Sequence, residues 1–139
     1  MKIWDHLDHF TINENCGEPD KINGLLLITL DRLRKYVGFP FSINFAYELS
    51  GHVSKSQHYL GNAVDFYIKG IDFISAYERL LEGLYVYQIA DRVGFGVYPD
   101  WLRPGFHLDV RGQKARWGRI GQDYVSIDKA IEHFKNKSK

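Results

Sequence analysis

Three side chains have the types and spacing to hold a catalytic metal: His58, Asp65 and His107. In Ser56-Gln57-His58-Tyr59-Leu60-Gly61-Asn62-Ala63-Val64-Asp65, the histidine ends a polar loop and the aspartate lies inside the strand that follows. Gly61 permits a tight reversal, so the two side chains can converge despite their separation. An aspartate between Val64 and Phe66 needs a partner, because a buried bare carboxylate is costly. A metal ion is one such partner; a salt bridge to an arginine is another. Downstream, Phe106-His107-Leu108-Asp109-Val110 puts His107 and Asp109 on one strand face and the apolar residues on the other. Two neutral imidazoles and one carboxylate form a catalytic zinc set, with the fourth tetrahedral position open to water. Such a mixture suits Zn2+ over magnesium or calcium. Asp109 is expected to orient a ligand histidine from behind.

These residues need elements to position them. From Asp20, taken as the cap, apolar residues at Ile22, Leu25, Leu26, Leu30, Leu33 and Val37 follow a helical spacing that Gly38-Phe39-Pro40 stops. Phe41, Ile43, Phe45 and Tyr47 alternate with polar or small residues, as in a half-buried strand. Residues 48–62 form a long loop, and long loops in compact domains are commonly functional. A strand over 63–68 leaves it, and Asp72 caps a helix ending near Gly83. The run 84–92 reads equally as helix or strand. Strands are expected at 94–98 and 106–111, joined by 99–105, and Ser126 caps a last helix. Helices interspersed with strands define an α+β class: one domain over residues 1–139, a central, mainly antiparallel sheet flanked by helices.

The 139 residues suffice for one real core, and 9 Tyr, 9 Phe and 3 Trp favour strands and a pocket over a bundle. Net charge is +1, yet residues 1–31 carry 2 basic and 6 acidic groups while residues 100–139 carry 9 basic and 5 acidic. The basic tail, with Arg111, Lys114, Arg116 and Arg119, reads as a solvated face, or else as one that meets an anionic substrate. It lacks the basic excess and interleaved aromatics of a nucleic-acid binder, and no phosphate loop is present. The lone Cys16 excludes an internal disulfide and a cysteine metal cluster. The first residues lack a signal-peptide core and no window has a membrane span's apolar length. Cytoplasmic synthesis as a monomer is expected, with no membrane or nucleic-acid partner.

The combined pattern resembles the zinc D-alanyl-D-alanine carboxypeptidase family, whose fold is shared with the hedgehog signalling domain. Its small phage and prophage members are most alike. The likeness rests on Ser56-x-His58, Asp65 and the later His107-Leu108-Asp109, on Gly94-Phe95-Gly96-Val97-Tyr98-Pro99 before them, and on Arg111-Gly112 and Lys114-Ala115-Arg116-Trp117 after. The resemblance implies a zinc peptidase acting on peptidoglycan stem or cross-link peptides, released to the wall by phage-type lysis. It also implies a carboxylate general base. Relatives place an acid just before the third ligand; here Arg103-Pro104-Gly105-Phe106 precedes it, and the nearest acid is Asp100. Asp100 is therefore the expected catalytic residue. Relatives also carry Ser-Gly-Tyr-Arg after the first strand, where this chain has Asn44-Phe45-Ala46-Tyr47-Glu48, so Glu48 is expected to face the substrate. Ser56 and Trp101 are expected near the same cleft, with Tyr98 and Trp117 as wall, core or rim. His6 and His9 share a spacing for a second metal, although surface pairs of this kind are common. His52 reads as exposed, and His133 as a partner of the last helix's C-terminal end. The competing reading is a zinc-stabilised binding or virion structural module without catalysis.

Overall fold

The computed structural model describes residues 3–11, 14, 19–45 and 61–137. Glu48, His52, Ser56 and His58 lie outside these residues, as do most of the expected 48–62 loop and the end of the first strand.

The first helix, α1 (Gly24–Val37), begins later than its apolar spacing suggests. Asp20 sits in a 3-10 turn, Pro19–Lys21, and Asn23 caps instead, its side-chain oxygen accepting the Leu25 N–H at 2.8 Å. Leu26, Leu27, Leu30, Leu33 and Val37 are buried, whereas Leu25 points to solvent at 60% exposure. Gly38 ends the helix at φ 81°, donating to the Arg34 carbonyl.

Asp72 caps α2 (Phe73–Val86) as expected, accepting the Ser75 N–H at 2.9 Å. This helix does not stop at Gly83. There the missing side chain lets α1 pack closely, since a Cβ would lie 3.0 Å from Leu33 Cδ2. The ambiguous run thus divides: the helix continues to Val86, and a 3-10 turn occupies Ala90–Arg92. The last helix, α3 (Ile127–Lys137), starts where Ser126 was expected to cap it.

Six strands form one sheet: β1 (Phe41–Phe45), β2 (Ala63–Ile68), β3 (Gly94–Tyr98), β4 (Gly105–Asp109), β5 (Ala115–Ile120) and β6 (Asp123–Val125). Their order is β1-β2-β4-β3-β5-β6, and every pairing is antiparallel except β3 with β5. The α+β class and the mainly antiparallel sheet match expectation. Strands β5 and β6 were not legible. On β5, Arg116 and Gly118 share the face that meets the helices, so no apolar alternation marks it. Arg116 is accommodated there by donating to the carbonyls of Val93 and Ala90.

One sheet face carries Phe41, Ile43, Val64, Phe66, Phe95, Val97, Phe106 and Leu108, all buried in a single core with the apolar sides of the helices. Phe73 stacks on Phe106 at 5.0 Å, and Phe134 of α3 tilts against Phe73. Because side chains alternate along a strand, the residues between these face the other way. Register then sets a row across that second face: Asp65, His107, Gly96 and Trp117 lie side by side on β2, β4, β3 and β5. The candidate site lies on this face.

Candidate metal and substrate face

His107 is held from both sides. Its Nδ1 lies 2.9 Å from Asp65 Oδ1, and its Nε2 lies 2.7 Å from Asp109 Oδ2. Asp65 and His107 are each 7% exposed and Asp109 is fully buried. Asp109 is balanced by Arg111, whose Nε and Nη2 each donate to its carboxylate at 2.7 Å, and the Gly94 N–H adds a bond at 3.2 Å. Burial pushes the Asp109 carboxyl up, but Arg111 and His107 outweigh it and hold it well below the usual range. For His107, burial pulls the imidazole pKa down, and the bonds to Asp109 and Asp65 reverse this to a net rise.

An ionised Asp109 accepting Nε2–H leaves Nδ1 facing another carboxylate across 2.9 Å. Two acceptors cannot face each other bare, so either a proton or a cation must lie between them. Ligand atoms about 2.0–2.1 Å from a tetrahedral zinc stand about 3.3 Å apart. The Asp65–His107 pair therefore fits zinc in donor type, while its 2.9 Å separation is that of a hydrogen bond, about 0.4 Å shorter than the ligand spacing. Asp109 stands on the far side of the imidazole from Asp65, at Nε2. Among the described residues no group of three or more His, Cys, Asp or Glu side chains is placed to hold a metal ion. The third expected ligand, His58, is not among those residues. Three residues on, Gly61, at φ 71°, accepts the Asn23 N–H at 2.8 Å, and the Asn62 carbonyl accepts the Val110 N–H. A Cβ on Gly61 would fall 2.0 Å from the Lys21 carbonyl oxygen, so glycine is required there.

The floor beside His107 depends on the spaced glycines of β3. A Cβ on Gly94 would meet the Asp109 carboxylate at 2.5 Å, and one on Gly96 would meet the Trp117 indole at 2.6 Å. With glycine at both, Trp117 crosses Gly96 to lie 4.9 Å from the His107 ring, and Arg111 lies 5.3 Å over the indole. The Trp117 Nε1–H donates to the Tyr98 hydroxyl at 2.7 Å, and Tyr98 stacks on Trp101 at 4.3 Å. Burial pushes the Tyr98 hydroxyl up to about 12. Tyr98, Trp101 and Trp117 therefore make one aromatic wall. The sequence had left these aromatics open between wall, core and rim, and it missed the part played by Arg111. The only signal for that part was the charge two residues beyond Asp109.

Asp100 is placed otherwise than expected. Its Oδ1 accepts from His133 at 2.7 Å and Lys137 at 2.9 Å, and its Oδ2 accepts the Gly121 N–H at 2.8 Å. Lys137 foremost, with His133 and Gly121, lowers its pKa to about 2 against the opposing effect of burial. The turn after β3 thus ties Asp100 to α3, on the helix side of the sheet, instead of swinging it toward His107. His133 accordingly bonds Asp100 rather than its own helix end. Of the basic tail, Arg111 and Arg116 turn inward to structural partners, whereas Lys114 is exposed and Arg119 lies 5.2 Å over the exposed Tyr124. His6 lies in a short 3-10 turn and forms no metal cluster among the described residues.

No family model and no curated protein matches the chain. Among solved structures it is similar to the L-Ala D-Glu endopeptidase ChiX of Serratia marcescens, with a TM-score of 0.49 and 17% identity over 66% of this chain and 81% of that one.

Proposed function

We propose that the chain is a zinc-dependent peptidase hydrolysing peptidoglycan stem or cross-link peptides, with His58, Asp65 and His107 as ligands. The observation that carries the metal is the His107 Nδ1 facing Asp65 Oδ1 at 2.9 Å while Asp109 engages Nε2. The substrate class rests on the sequence resemblance. When bound, zinc supplies Lewis acidity at a carbonyl and lowers the pKa of water toward ~7.

The chain's own residues supply the rest. Asp109 and Arg111 fix the imidazole's tautomer and orientation. Trp117 and Tyr98 wall off water beside it. The Tyr98 hydroxyl keeps its proton at neutral pH and accepts the indole N–H, so its own O–H is left to donate to a substrate oxygen. With Asp100 committed to α3, Glu48 is the remaining acid that the sequence offers as base.

The test is zymography on purified cell wall, with and without chelator, alongside zinc analysis. Clearing that disappears with chelator and returns with zinc supports the reading. Stoichiometric zinc with no cleavage would favour the non-catalytic zinc-stabilised module, a reading to which the engagement of Asp100 lends weight.

A further inference from the structure

The strand that carries Trp117 runs on past the metal row. On β5, Gly118 faces the helices against Ala130, so Trp117 and Arg119 lie on the site face. β3 and β5 run parallel with Gly96 beside Trp117, so two residues on, Tyr98 stands beside Arg119. Arg119 in turn pairs with Tyr124 on β6. Tyr98, Arg119 and Tyr124 thus make a second row next to the one that holds His107, with Trp101 stacked on Tyr98 at its inner end. Adjacent strands lie about 4.8 Å apart, so the three residues span about 10 Å. The two rows meet at the Tyr98 hydroxyl, which takes the Trp117 Nε1–H at 2.7 Å. Its pKa, pushed up mainly by burial, also responds to Asp65, Tyr124 and Arg119.

Arg119 and Tyr124 have binding capacity that the fold does not use. The guanidinium carbon lies 5.2 Å from the centre of the Tyr124 ring and covers one ring face, yet Tyr124 remains 65% exposed. The opposite ring face is therefore open to solvent. Nη2 of Arg119 donates to Gln122 Oε1 at 3.0 Å, but Nε is sealed without an acceptor and Nη1 has none among the described residues. No carboxylate among those residues pairs with Arg119, although Arg34, Arg111 and Lys137 each have one. Unmet N–H groups beside an open aromatic ring suit a ligand with a flat apolar face and oxygen acceptors at its edge. A sugar ring has both. An apolar peptide would leave the donors unmet, and a small anion would leave the ring unused. The charge balance agrees: between Trp117 and Ser126 the only charged residues are Arg119 and Asp123, which cancel and so draw a neutral ligand no less than an ion.

We propose that Tyr124 and Arg119 form a glycan-binding site, in which an N-acetylated sugar stacks on the open Tyr124 face and its acetamido oxygen accepts from Arg119. The stacking chemistry stands on the geometry; the glycan strand of the cell wall as occupant rests on the peptidoglycan reading. The strand then lies along the β5–β6 hairpin while its peptide reaches the metal row.

The experiment is calorimetric titration of the whole protein, without zinc, with two probes. These are the β-1,4-linked tetrasaccharide of N-acetylglucosamine and cellotetraose, which has the same linkage but no acetamido groups. The acetylated saccharide is expected to bind ~10-fold tighter than cellotetraose. Tyr124→Ala should weaken it a further ~10-fold or more, while Tyr124→Phe, which keeps the ring, should retain binding. Arg119→Met should bring the two saccharides close to equal. Tyr124 is exposed, so its variants should melt as the wild type does. No saturation by the acetylated saccharide, binding indifferent to Tyr124→Ala, or equal binding of both saccharides by the wild type would each overturn the site. Saccharide binding needs neither metal nor a scissile peptide, so it is read apart from zymography. If binding is present and lost in Tyr124→Ala while zinc-loaded protein clears no cell wall, the glycan site stands and the peptidase reading falls. If the wall is cleared and the saccharide is not bound, the reverse holds.

Discussion

At the scale of single residues, the chemistry turns on what stands at each nitrogen of His107. Asp109 takes Nε2 and is itself saturated by Arg111 and the Gly94 N–H, so its charge is fixed and its position rigid. Purified protein is expected to carry near one zinc per chain by elemental analysis, and His58→Ala and His107→Ala should each remove it. Asp109→Asn should weaken zinc ~10–100-fold. Arg111→Met should act in the same direction, because Asp109 then loses its main counter-charge. Asp100→Asn should leave both zinc content and turnover unchanged, since its carboxylate serves α3; a zinc-loaded but inactive Asp100→Asn protein would return it to the role of base. Tyr98→Phe should cost roughly tenfold in rate with zinc retained, the loss of one hydrogen bond to substrate.

Among the elements, β3 and α3 carry the sharpest expectations. Gly94-Phe95-Gly96 alternates a buried core ring with two positions where any side chain collides with site residues. Gly96→Ala should destabilise by about 1–3 kcal/mol, the usual cost of overpacking. It should also shift Trp117 fluorescence, because the indole must move. Helix α3 is tied to the β3–β4 turn through Asp100. The folded Asp100 pKa, about 2, lies below its ordinary 3.8, so the tie contributes stability above about pH 4 and loses it as pH falls from there through 2. The carboxylate is 31% exposed, and screening keeps this contribution to about 1 kcal/mol or less. Urea unfolding at pH 6 and pH 3 should therefore show a smaller difference in Asp100→Asn than in the wild type.

For the molecule as a whole, the proposed metal site and the core are separable. The core joins all three helices to one sheet face, while the proposed metal lies on the other, so metal removal should not unfold the chain. Metal that binds only the folded state adds roughly 4 kcal/mol at a thousandfold excess over Kd. Chelator should accordingly lower the melting temperature while leaving a cooperative transition, as calorimetry would register. Melting unchanged by chelator, with zinc shown to leave, would break this linkage. No helix among the described residues is long and apolar enough to cross a membrane.

Local sequence determined the parts whose physics is local. The alternation around His107 placed its side chain opposite the core, Asp65 between Val64 and Phe66 needed a partner, the turn at Gly61 needed its glycine, and Asp72 capped its helix as read. The sheet's class and the strands at 63–68 and 94–98 followed from the same periodicities. Tertiary structure decided what depends on partners distant in sequence. Asp20 lost the cap to Asn23 because the chain before α1 closes into a 3-10 turn and Asn23 docks on Gly61. Gly83 did not end α2, because there its missing side chain serves the packing of α1. Strand β5 hid its apolar pattern because Arg116 and Gly118 face the helices, one bonded to distant carbonyls and the other pressed against Ala130. Asp100 had a plausible distance from His107 along the chain, but a carboxylate goes where its donors are. Its donors, Gly121, His133 and Lys137, lie more than twenty residues away, brought to it only when α3 packs on the sheet.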